Sequence, residues 1–128
     1  MSELTIDVPM DPPAILLPNA KRNAHWARIN QATQEYRECA KYAALNARPR
    51  RWQPFAGPVA LHIHIGWGRR RRRIDLDAAG SGAKAALDGL VDAHILIDDR
   101  LVVDLRVTQE KAVDGNGFTR FVIQETQA

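Results

Sequence analysis

The sequence predicts an α+β fold: one domain with a mixed β-sheet and two main helices packed on it. Three observations carry this expectation. The length of 128 residues suits a single domain, taken as residues 1–128. Several short segments alternate apolar and polar residues, as half-buried strands do. Two further stretches repeat apolar residues at helical spacing, so the order reads strand, helix, strand, helix, strand, strand.

Each element has its own reason. Glu3–Met10 alternates through Leu4, Ile6 and Val8 and reads as a strand. Pro12, Pro13 and Pro18 then impose an irregular, extended path through Asn19, Lys21 and Arg22 to His25-Trp26. A helix is expected over about residues 33–47. Tyr36, Cys39, Ala40, Ala43 and Ala44 form its inner stripe, with Arg37, Glu38 and Lys41 outside. Pro49, Pro54, Gly57 and Pro58 break the chain before Val59, Leu61, Ile63 and Ile65, a strand with one buried face. Gly66-Trp67-Gly68 and the arginines interrupt it, and residues 74–77 resume an extended pattern. A second helix is expected over about residues 83–93, capped by Ser81, with Leu87, Leu90 and Val91 inward. Ile95-Leu96-Ile97 is a short apolar run. Residues 101–112 and 118–125 read as strands joined in a hairpin by Asp114-Gly115-Asn116-Gly117.

Composition narrows the function classes. A single cysteine, Cys39, permits neither an internal disulfide nor a cysteine-ligated zinc site, and its place on the helix stripe reads as packing. No apolar run reaches the roughly 18 residues of a membrane span, and no signal peptide is evident, so a reducing cytoplasm is the expected setting. The net charge of +3 is unevenly distributed. Residues 1–74 hold 13 Lys/Arg against 5 Asp/Glu, whereas residues 75–128 hold 5 against 10. A basic front half suits a polyanionic partner, and an aspartate-rich back half suits a divalent metal. Plain solvation of a charged surface is the alternative.

Several residues could carry chemistry. In an extended Asp75-Leu76-Asp77, side chains two apart share a face, so both carboxylates point one way. Magnesium, which takes carboxylate oxygens and water, would relieve their repulsion, while a solvent-facing strand edge is the alternative. Asp98-Asp99 follows a buried run, where a third carboxylate could complete such a site or simply make a turn. Lys84 falls in a helical first turn, where the dipole disfavours a cation; it could reach a phosphate or the carboxylates, or lie exposed. Arg69, Arg70, Arg71, Arg72 and Arg73 form a run suited to a phosphate backbone, with a solvated loop or acidic protein partner as alternatives. His62 and His64 share a strand face without a third metal ligand nearby, which favours a surface or interlayer role. His25-Trp26 could stack on a base, or serve as a capping histidine beside a core tryptophan.

Taken together, the arginine run, Asp75-x-Asp77, Lys84, the segment 88–93 (Asp-Gly-Leu-Val-Asp-Ala) and Ile97-Asp98-Asp99 resemble the RusA-type Holliday junction resolvases of bacteria and their phages. The resemblance covers about residues 15–110 and includes Asn19, Arg22 and His25-Trp26. It implies a crossover junction endodeoxyribonuclease that hydrolyses phosphodiesters in four-way, branched DNA during recombination and repair. It further implies a homodimer with no membrane partner and a magnesium cofactor that manganese could replace. By the same resemblance, Asp75, Asp77 and Asp99 would hold the metal with Asp98 auxiliary, and Lys84 would contact the scissile phosphate. Lys21, Arg22, His25, Trp26 and Arg69–Arg73 would contact DNA. The chain departs from the family in two places: Ala78 stands where the family has asparagine, and residues 78–83 lengthen the gap to Lys84. The rival expectations are a noncatalytic branched-DNA-binding protein that retains the fold and a protein-interaction domain.

Overall fold

The computed structural model describes residues 3–22, 24–69 and 74–126. It is a single α+β domain with one four-stranded mixed sheet and helices on one face, as the alternating segments predict. The strands are β1 (Glu3–Val8), β2 (Val59–Trp67), β3 (Val102–Lys111) and β4 (Phe118–Glu125). The helices are α1 (Pro18–Lys21), α2 (Trp26–Ala47), α3 (Leu76–Gly82) and α4 (Lys84–Asp92), with 3-10 turns at Ala14–Leu16 and Asp99–Leu101.

Sheet order is β1-β4-β2-β3. β4 runs antiparallel to both β1 and β2, while β2 and β3 are parallel. One face is apolar: Leu4, Ile6 and Val8 of β1, Leu61, Ile63 and Ile65 of β2, and Phe121 and Ile123 of β4 are all buried. Against it α2 lays Tyr36, Ala40 and Ala44, and α4 lays Ala86 and Leu90. Tyr36 donates a 2.6 Å hydrogen bond to the buried Thr119 hydroxyl, which itself donates to the Met10 carbonyl at 2.8 Å. Burial pushes the Tyr36 hydroxyl well above its ordinary pKa, so it stays a donor.

Besides residues 18–21, which form the helical turn α1 rather than an irregular, extended path because Pro18 suits the first position of a helix, four expectations need correction. Residues 114–117 do turn, with Gly115 at φ 78° and Asp114 accepting from the Asn116 amide at 2.9 Å, but β3 and β4 are not a hairpin. They flank β2, and the connection bridges its end, where Arg69 donates to the Gly115 carbonyl and Ala112 to that of Trp67. A tight turn joins only adjacent strands. β2, apolar along its whole buried face and extending through Trp67, takes the central place instead. Next, α2 begins at Trp26, well before residue 33. His25 caps it, its Nδ1 accepting from the Ala27 amide at 3.1 Å.

Third, residues 76 and 77, expected to be extended, open a helix that runs to Gly82, and Ser81 lies inside α3 instead of capping the next helix. Glycine disfavours a helix by about 1 kcal/mol, but tertiary packing reverses that here. A Cβ on Gly82 would sit 2.7 Å from the end of the Leu17 side chain, so glycine lets α3 pack on the N-terminal segment without displacing it. Fourth, Arg37 is not an outward residue. Its guanidinium clamps Asp92 of α4 through two bonds of 2.6 and 2.8 Å, tying α2 to α4. The apolar run at 95–97 contributes only a one-residue bridge, Phe55 with Leu96.

Candidate active site

The crossover from β2 to β3 positions the predicted residues in two groups. Asp75 is the N-cap of α3 and Asp77 lies in its first turn, a place where the helix dipole favours carboxylates. Because successive helical residues turn by about 100°, Asp75 and Asp77 do not share a face as strand residues would. Both are exposed, and both line a cleft of about 1180 Å³ that Asn19, Leu17 and Ser81 also border. The cleft therefore brings the Asp-x-Asp segment opposite the asparagine of the early Pro-rich segment.

The second group centres on Lys84, the first residue of α4. Its ammonium donates to Asp88 Oδ1 at 2.7 Å and also bonds Asp99 Oδ2. Two carboxylates thus offset the unfavourable dipole at this helix start. Burial lowers the Lys84 pKa, but hydrogen bonds to Asp88 and Asp99 outweigh it and hold the ammonium above its usual value. Asp99 opens the 3-10 turn that Asp98 caps, accepting from the Arg100 amide at 3.0 Å. The Asp98 carboxylate also pairs with the Arg100 guanidinium at 2.9 Å, and these Arg100 contacts hold it down to about 2. Asp-Asp-Arg does serve as a turn, therefore, while presenting Asp99 to Lys84.

The two groups do not merge. Among the described residues no three acidic, histidine or cysteine side chains gather closely enough to hold a metal ion. Asp75 and Asp77, although they do not share a helix face, each present an exposed hard oxygen donor to the one cleft, and magnesium commonly takes one or two carboxylates and completes its shell with water or phosphate. Asp99 and Asp98 are engaged by Lys84 and Arg100.

The remaining predicted positions lie around these groups. Lys21 ends α1 and is exposed, as is Arg22. His25 stacks on Trp26 with ring centroids 5.6 Å apart, and Trp26 is 69% exposed. The histidine is a cap, but the tryptophan is not a core residue. Arg69 is exposed, its side chain lying over Gly115 in the loop that crosses the end of β2. Arg70, Arg71, Arg72 and Arg73 lie outside the described residues. His62 and His64 both bond Thr108 Oγ1 at 2.6 Å on the open sheet face, and His64 also meets Glu110 at 2.8 Å. Cys39 is half-buried against the core, and burial raises its thiol pKa.

Sequence reasoning missed Arg37, which borders a small cavity of about 270 Å³ with Asp88, Asp98 and Asp99. The one signal was its place on α2 three residues before the buried Ala40, close to the inner stripe. Its hydrogen bonds hold the Asp92 carboxyl below the usual carboxylate range.

Comparison with known proteins gives one family match. The family model described as endodeoxyribonuclease RusA matches residues 9–124. A search of curated proteins finds no match.

Proposed function

This chain belongs to the RusA endodeoxyribonuclease family, and we propose that it is a magnesium-dependent, structure-selective endonuclease that cuts four-way or related branched DNA as a homodimer. The observation that carries the reading is the exposed pair Asp75 and Asp77 on a large cleft, within a chain matched almost end to end by a nuclease family. Asp75 and Asp77 would hold the metal, with Asp99 and Asp98 completing the set once freed from Lys84 and Arg100. When bound, magnesium supplies a Lewis acid at the phosphodiester and a more acidic water.

The chain's own residues do the rest. Lys84, protonated throughout the neutral range, neutralises charge on the scissile phosphate. Arg69, the arginines at 70–73, Lys21 and Arg22 neutralise backbone phosphates, which makes affinity fall steeply with salt. Trp26, exposed and braced by His25, offers a stacking face to an unpaired base at the branch point. Selectivity then rests on junction shape rather than base edges. Two-fold related sites on a dimer match two-fold related cuts. Among the described residues no helix is long and apolar enough to cross a membrane.

Two observations favour a second reading, a branched-DNA-binding protein without chemistry: Asp75, Asp77 and Asp99 do not gather into a three-ligand set among the described residues, and Ala78 replaces the family asparagine. Cleavage of a synthetic four-way junction, with and without magnesium, for the native chain and Asp77→Asn separates the two. Cleavage that requires both magnesium and Asp77 supports the nuclease. Salt-sensitive binding with no cleavage in magnesium or manganese leaves the binding protein.

A further inference from the structure

β3 forms one edge of the sheet, with β2 on its inner side and no strand beyond it among the described residues. A free edge is a template for another chain, and proteins usually blunt it with proline, lysine, a short strand or a bulge. β3 is ten residues long and has no proline, and its one lysine, Lys111, closes the strand beyond the exposed stretch. Its one irregularity is the extra residue Val103, after which Asp104–Lys111 pairs regularly with β2. Residues 103–106 are exposed on both faces of the sheet, with Val103 at 63% and Leu105 at 57%.

The charges on this stretch are unspent. Asp104 and Arg106 lie beside Ala60 and His62 on the open face, two residues apart. Among the described residues neither takes part in an ion pair. Around Leu105 the segment Val103-Asp104-Leu105-Arg106-Val107 is self-complementary: apolar residues match when the order is reversed, and acid meets base. Antiparallel pairing about a two-fold axis through Leu105 sets Asp104 opposite Arg106 of the second copy, and Arg106 opposite Asp104. It also sets Leu105 of one copy against Leu105 of the other on the opposite face. Isologous contacts require this kind of self-match, and opposite charges directly across a strand pair stabilise it.

We propose that β3 is the homodimer interface, two copies pairing antiparallel about Leu105 to join two four-stranded sheets into one. This names the contact within the dimer proposed above and rests on that reading. The proposal fixes register, because a shift of pairing by even one residue would put Asp104 opposite an uncharged side chain or turn it to the wrong face.

The test measures oligomeric state of the full chain, without DNA, by sedimentation velocity. Asp104→Arg alone and Arg106→Asp alone each place like charges opposite one another twice, and each raises the dimer dissociation constant by about tenfold or more. The double variant Asp104→Arg/Arg106→Asp restores opposite charges and dimerisation, which separates interface loss from misfolding. In a Cys39→Ser background, Leu105→Cys forms a covalent dimer on mild oxidation, because residues directly opposed in antiparallel strands have Cα atoms about 4.5–5.5 Å apart, within disulfide range. A dimer that ignores both single reversals, a double variant that fails to recover, or no cross-link overturns the β3 assignment while leaving the dimer itself standing. A native chain that stays monomeric overturns both.

Discussion

Replacing Gly89 with alanine tests whether α4, which carries Lys84 and Asp88, is seated as closely on α2 as the structure has it. In an ordinary helix interior the substitution stabilises by about 0.5–1 kcal/mol, because glycine loses more backbone freedom on folding. At this position the added Cβ would overlap the Arg37 carbonyl oxygen and lie 3.0 Å from Ala40 Cβ and 3.1 Å from the Lys41 amide nitrogen. Those atoms belong to the body of a 22-residue helix and cannot swing aside. Overpacking of this kind costs about 1–3 kcal/mol, which exceeds the propensity gain. The net expectation is a loss of about 1–2 kcal/mol, or about 3–8 °C in melting temperature for a chain of this size. Gly57→Ala is the matched control, since nothing lies within 4 Å of a Cβ there and its φ is not in the left-handed region. That variant gains up to about 1 kcal/mol. Both are read by thermal and urea unfolding, together with junction cleavage, which Gly89→Ala alone reduces. If Gly89→Ala stabilises as much as Gly57→Ala, the close approach of α4 to α2 is wrong, and with it the placement of Lys84.

Three further outcomes follow from the geometry. Thr119→Val strands both the Tyr36 hydroxyl and the Met10 carbonyl and destabilises by about 2–4 kcal/mol in urea titration, whereas Tyr36→Phe costs about 1 kcal/mol because Thr119 keeps its bond to Met10; equal costs would break the proposed order of donors. Arg37 depresses the Asp92 pKa, so the pair stabilises above the unfolded value near 3.8 and loses that contribution as pH falls through the folded value. The stability gap between the native chain and Arg37→Met is therefore constant near neutrality and closes on acidification below about pH 4; a gap that persists at low pH would show that charge is not its origin. Trp26→Ala leaves the melting temperature unchanged, because the ring is exposed, but weakens branched-DNA binding by about tenfold or more. An unchanged binding isotherm would remove Trp26 from the DNA surface.

What could be read from the sequence follows from how local the determining forces are. β1, β2 and β4 bury one face each, and period-two alternation records that directly. The core of α2 was equally legible through Tyr36, Ala40 and Ala44. Its first two turns were not: most residues from Trp26 to Gln31 are exposed and leave no apolar stripe, and a histidine is an unusual N-cap. α3 was hidden because Gly80 and Gly82 argue against a helix until Leu17 and Val107, both distant in sequence, pack against them. The hairpin expected at residues 114–117 failed for the same reason: turn chemistry is local, but which strand lies beside β3 is decided by the apolar length of β2. The carboxylates and Lys84 were visible as a motif, whereas the bond from Lys84 to Asp99 depends on a crossover that returns the chain to the start of β3.

The account's central claim is tested most directly by mapping the products formed from a synthetic four-way junction in magnesium, beside a linear duplex of the same arm sequence. It predicts paired nicks at symmetry-related positions in two opposing strands, an uncut duplex, and loss of both nicks in Asp77→Asn. Equal cutting of duplex and junction, or nicks that persist in Asp77→Asn, would contradict it.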